Sequence, residues 1–109
     1  DDQRGRLTFA TEIARLIRTL VETRPSFGVY NLTSEGEVVT WADVARRVFE
    51  LAGHDPARVT GVSTEQYFAS ATSPVAPRPL NSVLDLTRVH GIGFRPRAGD
   101  DLLREYLSP

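Results

Sequence analysis

In the stretch Ala76-Pro77-Arg78-Pro79-Leu80-Asn81-Ser82-Val83-Leu84-Asp85 one arginine stands between two prolines, and the chain then runs into a strand-like segment. Proline fixes its own φ and restricts the residue before it, so the backbone around Arg78 has little freedom. A guanidinium held in that way suits a fixed anion, because its planar fork makes two parallel hydrogen bonds to a phosphate or a carboxylate. The same residue in a proline-rich loop also serves as a solvated surface charge or as the partner of a nearby aspartate, and residue type alone leaves these readings open.

What the chain lacks bounds the remaining chemistry. All 13 basic residues counted as Lys or Arg are arginines. That excludes a Schiff-base lysine, a P-loop lysine and the lysine of a Tyr-x-x-x-Lys pair. Cysteine is absent as well, which removes disulfides, thiolate nucleophiles and cysteine zinc sites and fits a cytoplasmic protein. His54 and His90 lack metal-ligand spacing, and neither is given a role. The formal net charge is −1 with both signs interspersed, so there is no basic field for nucleic acid or anionic lipid. No apolar run approaches the roughly 20 residues of a membrane span, and no signal peptide opens the chain. At 109 residues the chain is one domain long, without room for separate cofactor and substrate domains. It opens at Asp1 and holds no methionine, so it is expected to be a piece of a longer protein.

The elements that must position Arg78 follow from periodicity. Phe9 to Glu22 reads as an amphipathic helix, with Ile13, Leu16, Ile17, Leu20 and Val21 on one face. Val29 to Thr33 has the β-rich alternation of a short strand. Thr40, with Asp43 three residues on, caps a second helix that stops at Gly53. Val59 to Thr64 reads as a strand parallel to the first, which makes a βαβ unit. Glu65 to Ala71 is a short helix or irregular, Ser82 to Leu86 is a third strand candidate, and Asp100 to Leu107 closes the chain as a helix. The expected fold is therefore α/β, a small βαβ-containing lobe with short parallel strands and about three helices.

Five segments in order, Asp2-Gln3-Arg4-Gly5-Arg6-Leu7-Thr8-Phe9-Ala10, Val29-Tyr30-Asn31-Leu32-Thr33, Thr40-Trp41-Ala42-Asp43-Val44-Ala45, Ser63-Thr64-Glu65-Gln66-Tyr67 and Arg78-Pro79-Leu80-Asn81-Ser82-Val83-Leu84-Asp85, together resemble the carboxyl-terminal part of dTDP-4-dehydrorhamnose reductases. These belong to the extended short-chain dehydrogenase/reductase superfamily. The resemblance covers essentially the whole chain. Two features depart from the family's usual pattern: Leu7 stands where a proline precedes the threonine, and the loop Ala69 to Ala76 is longer, as in fused epimerase–reductase polypeptides.

The resemblance implies a two-lobed enzyme whose amino-terminal Rossmann lobe binds NADPH or NADH and carries the catalytic tyrosine and lysine. This chain corresponds to the second lobe, over residues 1–109, which binds the sugar nucleotide. It lacks the glycine-rich turn and the Tyr-x-x-x-Lys pair, so no cofactor is expected on it and alone it is expected to be inactive. The whole enzyme would reduce the 4-keto group of dTDP-4-dehydro-L-rhamnose in dTDP-L-rhamnose biosynthesis. In that setting Arg78 is the expected contact to the pyrophosphate, and Asn81 and Ser82 are further candidates beside it. Asp2, Gln3 and Thr8 match the family's first motif and are candidates for the nucleotide or the domain junction. Packing is the expected role of Trp41, with base stacking as the alternative. The expected partners are the Rossmann lobe of the same protein, the dTDP-sugar and, through the exposed lobe interface, a second copy. A competing reading is a non-catalytic subunit that binds a partner enzyme, as the similar regulatory subunit of methionine adenosyltransferase does. Another epimerase or dehydratase of the superfamily ranks behind both.

Overall fold

Apolar side chains at helical spacing and a threonine cap produce helices where the sequence places them. In the computed structural model, which describes residues 1–108, the elements run β1 (Arg4–Gly5), α1 (Ala10–Thr23), β2 (Val39–Thr40), α2 (Trp41–Leu51), a 3-10 turn (Pro56–Arg58), α3 (Thr64–Phe68), α4 (Thr87–Gly91) and α5 (Gly99–Leu107). They belong to two units, one built mainly from Asp1–Gly5 and Val38–Val83, the other from Arg6–Glu37 and Leu84–Tyr106.

In the first unit α2 is fixed at both ends. The Thr40 hydroxyl accepts from the Asp43 backbone N–H at 3.2 Å, and the Asp43 carboxylate accepts from the Thr40 N–H at 2.9 Å. This reciprocal pair satisfies two backbone donors that a helix start otherwise leaves open. At the other end Gly53, at φ +76°, donates to the Glu50 carbonyl, and His54 N–H donates to Phe49. This left-handed glycine closure ends the helix where the sequence places its stop. Beyond it the His54 ring meets Phe49 edge-on at 5.9 Å, and the Arg58 guanidinium lies over the same Phe49 ring. The unit's sheet is a two-stranded antiparallel ribbon, with Arg4 opposite Thr40 and Gly5 opposite Val39. A Cβ on Gly5 would lie 2.6 Å from Ser82 Oγ, so a larger residue there would have to displace that hydroxyl.

The second unit holds the apolar core: Leu16 of α1, Leu86, Val89 of α4 and Phe94, with Leu20, Tyr30, Leu32 and Ile92 packed against them. Leu102 and Leu103 of α5 are also buried. Glu12 of α1 is fully buried, and one of its carboxylate oxygens accepts from Arg15 and from the Arg97 backbone N–H. Segment 33–35 is held by its backbone: Ser34 N–H donates to the Leu7 carbonyl, Glu35 N–H to Arg97, and Gly99 N–H to Glu35.

The parallel βαβ sheet does not form. Among the described residues, Val29–Thr33 and Val59–Ser63 are extended or irregular chain without ladder partners, and parallel pairing is limited to two single bridges, Arg4 with Asn81 and Glu35 with Ala98. Among the described residues five helices stand where about three were expected. Ser82–Leu86 carries no strand; instead Asp85 Oδ1 accepts from the Thr87 N–H at 2.7 Å and opens α4. A side-chain acceptor two residues before its donor competes with strand pairing, and here it wins.

Candidate functional site

The first unit brings five of the six sequence-predicted site residues into one stretch of structure. Asp2 accepts from the Thr64 backbone N–H at 3.0 Å and from the Thr64 hydroxyl at 2.6 Å. The Gln3 side-chain amide in turn donates to the same Thr64 hydroxyl at 2.9 Å. Hydrogen bonds from the Thr64 side chain and backbone hold the Asp2 carboxyl below its ordinary range. Asp2 and Gln3 thus tie the first segment to the start of α3, where Ser63 and Gln66 form a second reciprocal cap.

Arg4 is bracketed on both sides. Its backbone N–H donates to the Leu80 carbonyl at 2.8 Å, and its own carbonyl accepts from the Ser82 N–H at 2.8 Å and from Ser82 Oγ at 3.1 Å. Asn81 Oδ1 accepts from the Val83 N–H at 3.0 Å. The Asn81 and Ser82 side chains therefore spend these groups on fixing the loop's exit. Two residues before the anchored Leu80 carbonyl, Arg78 is exposed, and among the described residues no hydrogen bond or ion pair engages it. The Arg4 side chain is exposed and unengaged in the same sense, a second guanidinium that motif reading passed over although it lies within the first quoted segment. Trp41, expected to pack, is 65% exposed at the first position of α2. Its neighbour Ala42 takes the buried position instead, because one residue turns the side chain about 100° around the helix. Tyr67 of α3 is 70% exposed. The unit thus presents unspent guanidinium groups and open aromatic surface around a hydrogen-bonded ribbon. That chemistry suits a ligand with both anionic and planar parts.

Thr8 belongs to the second unit, where it is exposed and makes no hydrogen bond among the described residues. The same unit contains a cavity of about 340 Å³ lined by Arg6, Glu35, Gly36, Leu84, Leu86, Thr87 and His90. Arg6 Nε donates to the Gly36 carbonyl at 2.9 Å, and His90 Nε2 lies against Glu35 Oε1 without hydrogen-bond alignment. Residue type alone gave His90 no role, and its pairing depends on a residue 55 positions away. Among the described residues no group of three or more His, Asp or Glu side chains is arranged to hold a metal ion.

The whole chain, residues 1–109, matches the family model described as the RmlD substrate binding domain, and it belongs to that family. The spore coat polysaccharide biosynthesis protein SpsK of Bacillus subtilis is 32% identical over 107 residues, covering 98% of this chain and 35% of that protein. A solved dTDP-4-dehydrorhamnose reductase of Clostridium acetobutylicum superposes with a TM-score of 0.83 at 28% identity, covering 97% of this chain and 35% of its own. A second, from Bacillus anthracis in complex with NADP, gives 0.75 at 25% identity over 96% of this chain and 34% of its own. The chain spans about a third of the length of these relatives.

Proposed function

We propose that this domain binds the dTDP-sugar in an NAD(P)H-dependent reductase of dTDP-4-dehydro-L-rhamnose, as part of a longer cytoplasmic polypeptide. The observation that carries the reading is the unengaged Arg78 on its proline-fixed loop, in a chain of a substrate-binding family whose solved relatives are named as reductases of this class. Arg78 holds the pyrophosphate through its fork, and Arg4 supplies a second positive charge. Ser82 and Asn81 position the loop, while Asp2, Gln3 and Thr64 brace the segment from which Arg4 projects. Trp41 and Tyr67 offer stacking surface to the base or the sugar.

In this reading the dinucleotide sits outside these residues. A dinucleotide fold needs a glycine-rich turn at the end of a parallel strand, whereas the ribbon here is antiparallel and two residues long. The cofactor would supply the hydride, and this domain fixes the position and orientation of the keto sugar that receives it.

The test uses the full-length protein. A charge-assisted contact contributes roughly 1.5–3 kcal/mol, so Arg78→Ala is expected to raise the Kd for dTDP about ten- to a hundredfold. Thymidine, which has no phosphate, should bind almost unchanged. Equal losses for both ligands would make Arg78 a structural residue, and no loss for either would leave it a solvated surface charge.

A further inference from the structure

The Thr64 hydroxyl has one proton to give, and that proton is committed. It goes to the Asp2 carboxylate at 2.6 Å, a group that only accepts when ionised, and the Thr64 hydrogen bonds hold that carboxyl below its ordinary range. What the hydroxyl offers to Gln3 is therefore a lone pair. The Gln3 amide nitrogen takes it at 2.9 Å, which fixes the side chain one way round, with Nε2 on Thr64 and Oε1 turned away from it. Among the described residues nothing donates to that oxygen, and it is not sealed from solvent. A free amide presents a donor or an acceptor by turning over. Here the relay from Gln3 through Thr64 to Asp2 leaves Oε1 as a fixed acceptor.

An aromatic face stands beside it in the same unit. Tyr67 follows Thr64 by three residues in α3, the spacing that sets two side chains on one helix face with Cβ atoms about 5–6 Å apart. Its ring is 70% exposed, and an edge contact with Phe68, centroids 4.9 Å apart, fixes its plane. A planar base stacked on that ring turns its hydrogen-bonding edge to its surroundings, where Gln3 is held.

We infer that Gln3 Oε1 accepts from the imide N3–H of a thymine whose ring lies on Tyr67, which makes Gln3 a specificity-determining residue for a pyrimidine that carries a donor at N3. The inference rests on the reading of this domain as the dTDP-sugar lobe, and adds which edge of the base is read and by which atom. N3 is a donor in thymine and uracil and an acceptor in cytosine, so a fixed carbonyl oxygen bonds the first two and repels the third. An amide free to turn over would serve all three.

Calorimetric titration of the full-length protein with dTDP, dUDP and dCDP tests this. dUDP and dCDP share the sugar, the pyrophosphate and the ring and differ only at N3 and C4. The wild type is expected to bind dUDP about ten- to a hundredfold more tightly than dCDP, and equal affinities would overturn the inference. Gln3→Ala should bring the two within about threefold by weakening dUDP; parallel weakening of both would leave Gln3 a brace and overturn it. Thr64→Val keeps the backbone bond to Asp2 but frees the amide, so the two should again converge, now because dCDP gains; an unchanged ratio would overturn the relay. Tyr67→Ala should weaken both nucleotides alike, since stacking tolerates either base, and no weakening would overturn the placement on that ring. Failure of the wild type to bind dTDP would remove the reductase reading and this inference together, whereas tight dTDP binding with equal affinities for dUDP and dCDP would remove this inference alone.

Discussion

Thr64 donates both its backbone N–H and its hydroxyl to the carboxylate of Asp2, 62 positions earlier in the chain. The contact ties the first segment to the start of α3, and it favours the ionised acid. The Thr64 bonds lower the Asp2 pKa from its ordinary 3.8, so the contact stabilises the fold above about that value, and the stabilisation is lost as the pH falls through the folded-state value. Asp2→Asn should therefore melt below the wild type near neutral pH, and the gap should shrink steadily below about pH 4. Melting curves from about pH 6 to about pH 2 check this; a gap independent of pH would mean that the ionised pair does not form.

Glu12 raises the same question in the second unit, with the opposite balance of burial. Its burial pushes the carboxyl upward, but the Arg97 N–H and the Arg15 guanidinium outweigh it and hold the group below 4.5. Glu12 accepts from Arg15 at 2.5 Å and from Arg97 N–H at 3.0 Å. Because Arg15 is about half exposed, its ion pair is screened, and the part-buried bond to the Arg97 backbone N–H is the costlier loss. Glu12→Gln keeps an oxygen for Arg97, whereas Glu12→Ala leaves the N–H unpaired and should cost about 1–3 kcal/mol more in urea unfolding. The wild type's advantage over Glu12→Gln should fade as the pH drops below about 4.5. Equal unfolding midpoints for the two variants would rule out the link to Arg97.

The Thr40 cap was legible from two residues. Thr40→Ala should cost about 1 kcal/mol and leave dTDP affinity in the full-length protein unchanged, since the hydroxyl is spent on Asp43. A wild-type unfolding curve for this variant would contradict the observed cap.

What could be read in the sequence was local, and what could not be read was set by distant partners. α1, α2 and α5 announce themselves through spacing, caps and the glycine stop. The β-rich runs at Val29–Thr33 and Val59–Thr64 mislead because β propensity records fit to a pleated, half-buried surface rather than a partner strand. Tyr30 and Leu32 use their side chains against the core from extended chain instead. The ribbon that does form, Arg4–Gly5, has no strand-like composition; Thr40 and Asn81 impose it from 36 and 77 positions away. α4 is five residues long, too short for a period to show, and only the Asp85-x-Thr87 pattern signals it. In the candidate site, Arg78 was visible through its prolines. Its freedom from partners, the exposure of Trp41 and the availability of Arg4 depended on tertiary placement.

Ser82 and Arg78 divide positioning from binding, and the two can be separated in the full-length protein. Ser82 meets the Arg4 carbonyl twice, through its N–H at 2.8 Å and its hydroxyl at 3.1 Å, so Ser82→Ala removes one bond and keeps the other. The loop stays anchored, and the Kd for dTDP should rise no more than about threefold, within the roughly 0.5–1 kcal/mol of one neutral hydrogen bond. Arg78→Lys keeps the charge but loses the fork, so its Kd should fall between the wild type and Arg78→Ala. Calorimetric titration of all three variants with dTDP, repeated at higher salt, distinguishes the roles. Raising the salt should weaken wild-type and Ser82→Ala binding in parallel and affect Arg78→Ala less, because that variant has lost a charge that salt screens. If Ser82→Ala matched Arg78→Ala in affinity and salt response, the anion contact would belong to the loop's backbone geometry rather than to the guanidinium.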